Sequence, residues 1–175
     1  NERVKMNMKI GIYGSSTQTG KAFLADFIIE GYSVYGYARD TGRGEDFVDE
    51  VQYKKGIVLE RFEDGKDAKP HFIPLGRSKV GHRIHQLVEH SNIIVIAHPS
   101  QYILETVKNL KEAGIVKKKI PIILGCSRTI ATPYIWNILG EGYPVVCFST
   151  SPYSVKSPSP GTVFIKRRKR NWMAS

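Results

Sequence analysis

The sequence predicts an α/β domain built on a doubly wound parallel sheet with an inserted hairpin, and three observations carry that expectation. Short apolar segments alternate with segments of helical periodicity along most of the chain. Those apolar segments are continuous rather than alternating, as in strands covered on both faces. The first of them runs straight into Gly14-Ser15-Ser16-Thr17-Gln18-Thr19-Gly20, a glycine-bounded turn that opens a helix. With 175 residues, 41% of them apolar, the chain can fill one substantial core without disulfides or metals. Its longest apolar run is five residues. A spanning helix needs about 20 and a secretory signal about 7–15, so a soluble, cytoplasmic protein is expected.

Residues 1–7 are polar and aperiodic and read as a remnant or disordered start, leaving 8–175 as the domain. Ile10 to Tyr13 form the first strand; Phe23, Leu24, Phe27 and Ile28 give the next helix one inward face, and Gly31 stops it. Val34 to Ala38 form the second strand, and Asp46 to Tyr53 suit a short helix. Gly56–Arg61 and His71–Leu75 flank the polar Glu63-Asp64-Gly65-Lys66-Asp67 and read as a hairpin inserted into the sheet. Val80, Ile84, Leu87 and Val88 then mark a helix, and Ile93 to Ala97 a buried strand. Ser100 is expected to cap the following helix, which turns Ile103, Leu104, Val107 and Leu110 inward and stops at Gly114. A strand from Ile120 to Gly125 precedes a helix in which Thr132 caps and Pro133 occupies the first turn. Val145 to Phe148 form another strand, Ser151 to Gly161 an irregular proline- and serine-rich connection, and Thr162 to Ile165 the start of a last strand.

Doubly wound sheets bind ligands outside the carboxyl ends of their strands, which directs attention to the turn after the first strand. Glycines there allow close backbone approach, and the helix that follows presents unpaired N–H groups to a phosphate. Gly14, Ser15, Ser16, Thr17 and Gly20 are therefore the candidate cofactor-binding residues. Against G-x-G-x-x-G, Ser16 stands where the second glycine belongs; a G-x-x-G-x-x-G form fits if Thr17 replaces the middle one. Against the nucleoside triphosphatase loop G-x-x-x-x-G-K-[ST], the spacing is one residue too long and Ala22 replaces the magnesium-binding hydroxyl. The competing reading is a purely structural strand-to-helix turn.

The second strand ends in Tyr37-Ala38-Arg39-Asp40, where a Rossmann NAD(P)-binding domain selects its cofactor. Arg39, with Arg43 in the same loop, favours the 2′-phosphate of NADP; Asp40 keeps NAD open. His98-Pro99 follows the central strand, so both are placed beside the same crevice. His82, His85 and His90 fit a solvated helix better than a metal site, and no metal is expected. Cys126 and Cys147 read as buried reduced thiols.

The order of these features resembles the opine dehydrogenases. Ile12-Tyr13-Gly14 with its turn, Arg39, Ala97-His98-Pro99-Ser100, Phe148-Ser149-Thr150 and the ending Trp172-Met173-Ala174-Ser175 after a basic cluster carry the likeness, most closely to the staphylopine dehydrogenase-like, opine-metallophore branch. The resemblance implies an N-terminal Rossmann domain whose helical substrate domain lies outside this chain. It also implies reductive condensation of an amine or amino acid with an α-keto acid by a nicotinamide hydride, and thus those small molecules as partners. Where the metallophore enzymes carry an aspartate after Phe-Ser-Thr, Ser154 stands here, and the resemblance assigns no catalytic residue.

Two other classes compete: a non-catalytic NAD(P)-binding sensor and a basic nucleic-acid module. The formal charge is +10, and Lys166-Arg167-Arg168-Lys169-Arg170 supplies half of that excess. Because it follows Val163-Phe164-Ile165 it reads as a strand continuation, with Lys166, Arg168 and Arg170 on one face and Arg167 and Lys169 on the other. Nucleic acid is accordingly disfavoured as a partner, no membrane contact is expected, and homodimerisation remains open.

Overall fold

A computed structural model describes residues 7–61, 69–125, 131–168 and 173–174. The chain begins β1 (Lys9–Tyr13), α1 (Gln18–Ile29), β2 (Ser33–Tyr37), α2 (Arg43–Lys54), β3 (Gly56–Arg61), β4 (Pro70–Pro74), β5 (Val80–Gly81), α3 (Ile84–His90) and β6 (Ile93–Ile96). It continues α4 (Ile103–Glu112), α5 (Ile115–Lys118), β7 (Ile122–Leu124), α6 (Thr132–Leu139), β8 (Val145–Phe148), β9 (Tyr153–Ser159), β10 (Thr162–Arg168) and β11 (Met173–Ala174).

The main sheet has the order β11-β8-β7-β6-β1-β2-β5, and every pair in it except β8 with β11 is parallel. The doubly wound expectation holds. From β1 the chain winds outward through β2 to β5, then returns to the other side of β1 with β6, so the switch point falls between β1 and β6. Leu87, Val107, Leu110 and Ile135 bury themselves against one face, from α3, α4 and α6.

The opposite face carries α1, and a second sheet, β4-β3-β10-β9, closes over that helix. The expected hairpin is present as β3 paired antiparallel with β4, its turn lying outside the described residues. It is not free-standing, because β10 joins β3 in parallel and β9 joins β10 antiparallel. Covered on two sides, α1 buries every residue from Gly20 to Asp26 rather than a single face.

Several boundaries differ from the sequence expectation for physical reasons. Val80 is not helical: it pairs with Gly36 and supplies the sixth parallel strand, a two-residue strand too short for any periodicity. Ser151 to Gly161 is not irregular throughout, since β9 tolerates its proline at a sheet edge, where ladder donors are not needed on both sides. The helix after β2 begins at Arg43, three residues early, and β7 is shorter than the apolar run around it. Ser100 opens a short 3-10 turn and Thr132 is the first residue of α6, and neither caps its helix. The register of β10 slips between Ile165 and Arg167, which breaks the expected alternation. Arg168 thereby reaches inward to Asp26, although half of its side chain stays exposed; Lys169, Arg170 and Trp172 lie outside the described residues. Cys147 is half-buried with a free thiol rather than fully buried, and Cys126 lies outside the described residues.

Arg168 is drawn in by Asp26, a carboxylate of α1 that is 6% exposed. Asp26 accepts from Arg61 Nη1 at 3.0 Å, from the Tyr153 hydroxyl at 2.9 Å, and from Arg168 Nη2. One helix residue thus ties three strands of the second sheet. A turn earlier, Lys21 Nζ donates to Ser157 Oγ at 2.7 Å and lies 5.6 Å from the Phe47 ring centroid. Burial lowers its pKa to about 8, Arg43 adding to the effect and Glu50 opposing it.

Replacing Asp26 with Ala leaves two guanidinium groups without their shared acceptor, and urea denaturation should show a loss of about 3 kcal/mol, the scale for breaking a buried ion pair. An unchanged midpoint would contradict the tethering role. For Lys21 the folded pKa lies below the unfolded one, so between about 8 and 10.5 the unfolded chain binds more protons and this group's contribution to stability rises with pH. The stability difference between the unmodified protein and Lys21→Met should therefore shift in favour of the unmodified protein as pH is raised from about 8 to about 10.

Candidate functional site

The turn after β1 is built almost entirely from its own backbone. Gly14 has φ +85°, a conformation that would strain any residue with a Cβ, and its N–H and that of Ser15 both donate to Tyr37 O, at 3.0 and 2.9 Å. The turn is thus fastened to the end of β2. Thr17 is the N-cap of α1: its hydroxyl donates to Gly14 O at 2.8 Å and accepts from the Gly20 N–H at 2.9 Å. A Cβ on Gly20 would stand 2.1 Å from Gly14 O, so only glycine lets the helix approach this closely. The N–H groups of Ser16, Gln18 and Thr19 are left without a backbone partner among the described residues.

Above them opens a cleft of about 310 Å³ at the carboxyl ends of β1, β2 and β6. Its floor is Tyr13, Gly14, Ser16 and Thr17. One wall is Tyr37, Arg39, Thr41, Arg43 and Gly44, from β2 and the start of α2; the other is His98, Pro99 and Tyr102, after β6. Six of the eight residues singled out in the sequence therefore meet in one place. The other two lie beneath it. Gly20 supports the turn, while Ser15 points away from the cleft, fully buried against Gly36, its hydroxyl without a hydrogen-bond partner. Of the turn's hydroxyls, Thr17's is spent on the cap, Ser15's is buried and Thr19's lies 3.4 Å from Ser151 Oγ, while Ser16 lines the cleft.

The cleft's positive charge comes from Arg39, Arg43 and the start of α2, whose N-cap, Gly42, offers no side chain to the first N–H groups; Glu45 and Asp46 in that first turn offset part of it, and the Gly44 N–H donates to Thr41 O at 3.2 Å. Burial disfavours the charged forms of Tyr37 and His98. Tyr13 and Tyr37 are partners in the β1–β2 register with rings 4.7 Å apart, and burial, reinforced by Tyr13, raises the Tyr37 pKa to about 12. His98 is 7% exposed, with Nδ1 2.9 Å from Pro99 O and Nε2 2.5 Å from Thr106 Oγ1. A carbonyl only accepts, so Nδ1 carries the proton and Nε2 accepts from the threonine. Burial lowers the His98 pKa, the Pro99 carbonyl opposing it and Arg39 adding to it. With both nitrogens engaged, His98 shapes the wall instead of exchanging protons.

The remaining expectations are placed as follows. His82 and His90 each bond a backbone carbonyl, Ala38 O and Ser33 O, so they do not form one solvated face with His85. Ser154 lies in β9, opposite Arg167. Beyond β8, Ser151 Oγ is 3.4 Å from Thr19 Oγ1, which joins the loop after Phe148-Ser149-Thr150 to the first turn of α1. Sequence reasoning missed Tyr13, Tyr37, Thr41, Gly44 and Tyr102 as lining residues. The two strand-end tyrosines were findable, because the last residues of the two strands beside the turn must face it.

No protein-family model matches the chain, and no curated protein matches it in sequence. Its fold does recur among solved structures. Yersinopine dehydrogenase bound to NADP+ superposes with a TM-score of 0.73 at 15% identity over 95% of this chain. Octopine dehydrogenase in complex with NADH and agmatine superposes with a TM-score of 0.74 at 12% identity over 93%. A putative 2-dehydropantoate 2-reductase from Enterococcus faecalis gives 0.66 at 12% identity over 95%. The chain spans 40% of the length of each of the first two and 47% of the third. At these identities the likeness establishes the shared Rossmann-like fold.

Titrating the His98 imidazole by nitrogen-15 NMR should show the Nδ1–H tautomer at neutral pH and a midpoint below the ordinary value of 6.5. A midpoint at or above 6.5 would return His98 to the list of acid–base candidates.

Proposed function

We propose that the chain is the NADP-binding part of an oxidoreductase of the opine dehydrogenase type. The observation that carries this reading is the conjunction, at the switch point, of a phosphate-ready turn with a cationic end to β2. Unpartnered N–H groups at the start of α1 suit a pyrophosphate, and Gly14 and Gly20 leave the backbone open to it. Arg39, Thr41, Arg43 and the uncapped start of α2 suit a phosphate on the adenosine ribose. These residues fit a dinucleotide. Bound there, the cofactor would supply a hydride, while the chain's own groups bind and orient it; His98, with both ring nitrogens engaged, and Tyr37, whose pKa burial raises to about 12, are not poised to move a proton.

Reductive condensation of an amine or amino acid with an α-keto acid is the reaction this reading assigns to the whole protein. It is supported by the order of sequence features and by fold neighbours that include yersinopine and octopine dehydrogenases. The metallophore branch is the finer assignment, resting on Phe148-Ser149-Thr150 and the chain's ending. A basic nucleic-acid module is less well supported, because Arg168 of the basic run is engaged by Asp26.

Calorimetric titration should show NADPH bound more tightly than NADH. Arg39→Ala should cost about 1–3 kcal/mol of NADPH binding, the scale of charge-assisted hydrogen bonds, and leave NADH nearly unaffected. Equal affinity for the two cofactors in the unmodified protein would remove the NADP assignment, and binding of neither would remove the dinucleotide reading.

A further inference from the structure

Arg39 is not idle in the open cleft. Its Nη2 lies 3.9 Å from Glu105 Oε2, and its guanidinium carbon lies 5.7 Å from the centroid of the Tyr102 ring. Both partners belong to the opposite wall: Tyr102 closes the 3-10 turn after β6, and Glu105 sits in the first turn of α4. The side chain therefore reaches across the cleft's mouth from the end of β2. Glu105 is poorly explained as a stabilising residue, since the pair is 53% and 62% exposed and such pairs contribute little to folding. Its place opposite a cleft-lining arginine gives it another consequence.

Building on the dinucleotide reading, we propose that Glu105 is a specificity-determining residue: an anionic latch that competes with a ribose 2′-phosphate for Arg39. The carboxylate and the phosphate are alternative acceptors for one guanidinium. To reach a phosphate, Arg39 must give up Glu105, and that lost contact is the cost the latch imposes. A ligand with a free 2′-hydroxyl does not meet it. Glu105 thus lowers the advantage of 2′-phosphorylated ligands without abolishing it, because Arg43, Thr41 and the start of α2 are not held by it. Glu105 works through Arg39, so its effect must vanish where Arg39 is absent.

The test uses adenosine 2′,5′-bisphosphate and adenosine 5′-monophosphate, titrated calorimetrically into the unmodified protein, Glu105→Gln, Arg39→Ala and the double variant. Glu105→Gln should tighten bisphosphate binding about two- to fivefold at low salt, the scale of an exposed ion pair. That gain should shrink towards nothing at about 1 M salt, where the screening length falls to about 3 Å. Monophosphate binding should not change, and adding Glu105→Gln to Arg39→Ala should have no effect on either ligand. Unchanged or weakened bisphosphate binding in Glu105→Gln overturns the latch while leaving the dinucleotide reading standing, as does an equal gain for both ligands. Failure of the unmodified protein to bind either adenosine phosphate overturns both.

Discussion

The buried carboxylate of Asp26 is the constraint on which the rest of the molecule depends. A charge in a helix covered on two sides is tolerated only if it is fully engaged, and here three strands of the second sheet each send a donor to it. Arg61 comes from β3, Tyr153 from β9 and Arg168 from β10. The arrangement sets the register of that sheet against α1, and apolar packing alone would not. Ile57, Leu59, Val163 and Ile165 fill the space between but could slide. Tyr153 pays the same debt in reverse: burial, and then the neighbouring carboxylate, push its pKa far upward, so its hydroxyl remains a donor.

Anchoring α1 matters because the helix begins at the cleft. Asp26 stands nine residues on from Thr17, about 13 Å along the axis. The second sheet therefore grips the helix from behind while the turn fastens its start to Tyr37 O in front. The N–H groups of Ser16, Gln18 and Thr19 are held in place by contacts made at both ends of the helix. Electrostatically the cleft follows the same economy. Its positive charge resides in Arg39, Arg43 and backbone dipoles, and burial disfavours the charged forms of the His98 imidazole and the Tyr37 phenol.

What the sequence revealed and what it concealed divide along one physical line. Continuous apolar runs announce themselves, so β1, β2, β6 and β8 were legible, and with them the switch point and the cleft that six of the eight candidate residues line. Elements whose existence depends on a distant partner were not. Val80-Gly81 is a strand only because Gly36 and Tyr37 lie beside it, and β9 only because β10 offers a ladder to an edge that accepts proline. The inward turn of Arg168 required a register slip that no alternating pattern contains. Phe23, Leu24, Phe27 and Ile28 mark one inward face for α1, and nothing local reports that a second sheet will cover Lys21 and Asp26 as well.

The departure of the glycine turn from the dinucleotide pattern is resolved by one side chain. A turn with five residues between its outer glycines has one more peptide to satisfy than G-x-G-x-x-G, where four separate them. Thr17, standing where the longer form expects its middle glycine, meets that need with its hydroxyl, which donates back to Gly14 O and accepts from the Gly20 N–H. The first and last glycines are thereby tied through a single oxygen, and Gly20 keeps the close packing that the third glycine of the shorter motif provides. Thr17 also satisfies a helix donor that a glycine would leave open, so among the described residues the unpartnered backbone donors of the turn narrow to the three N–H groups beside it. The extra residue lengthens the rim without loosening the turn, and the glycine spacing alone therefore understates how well the loop is ordered.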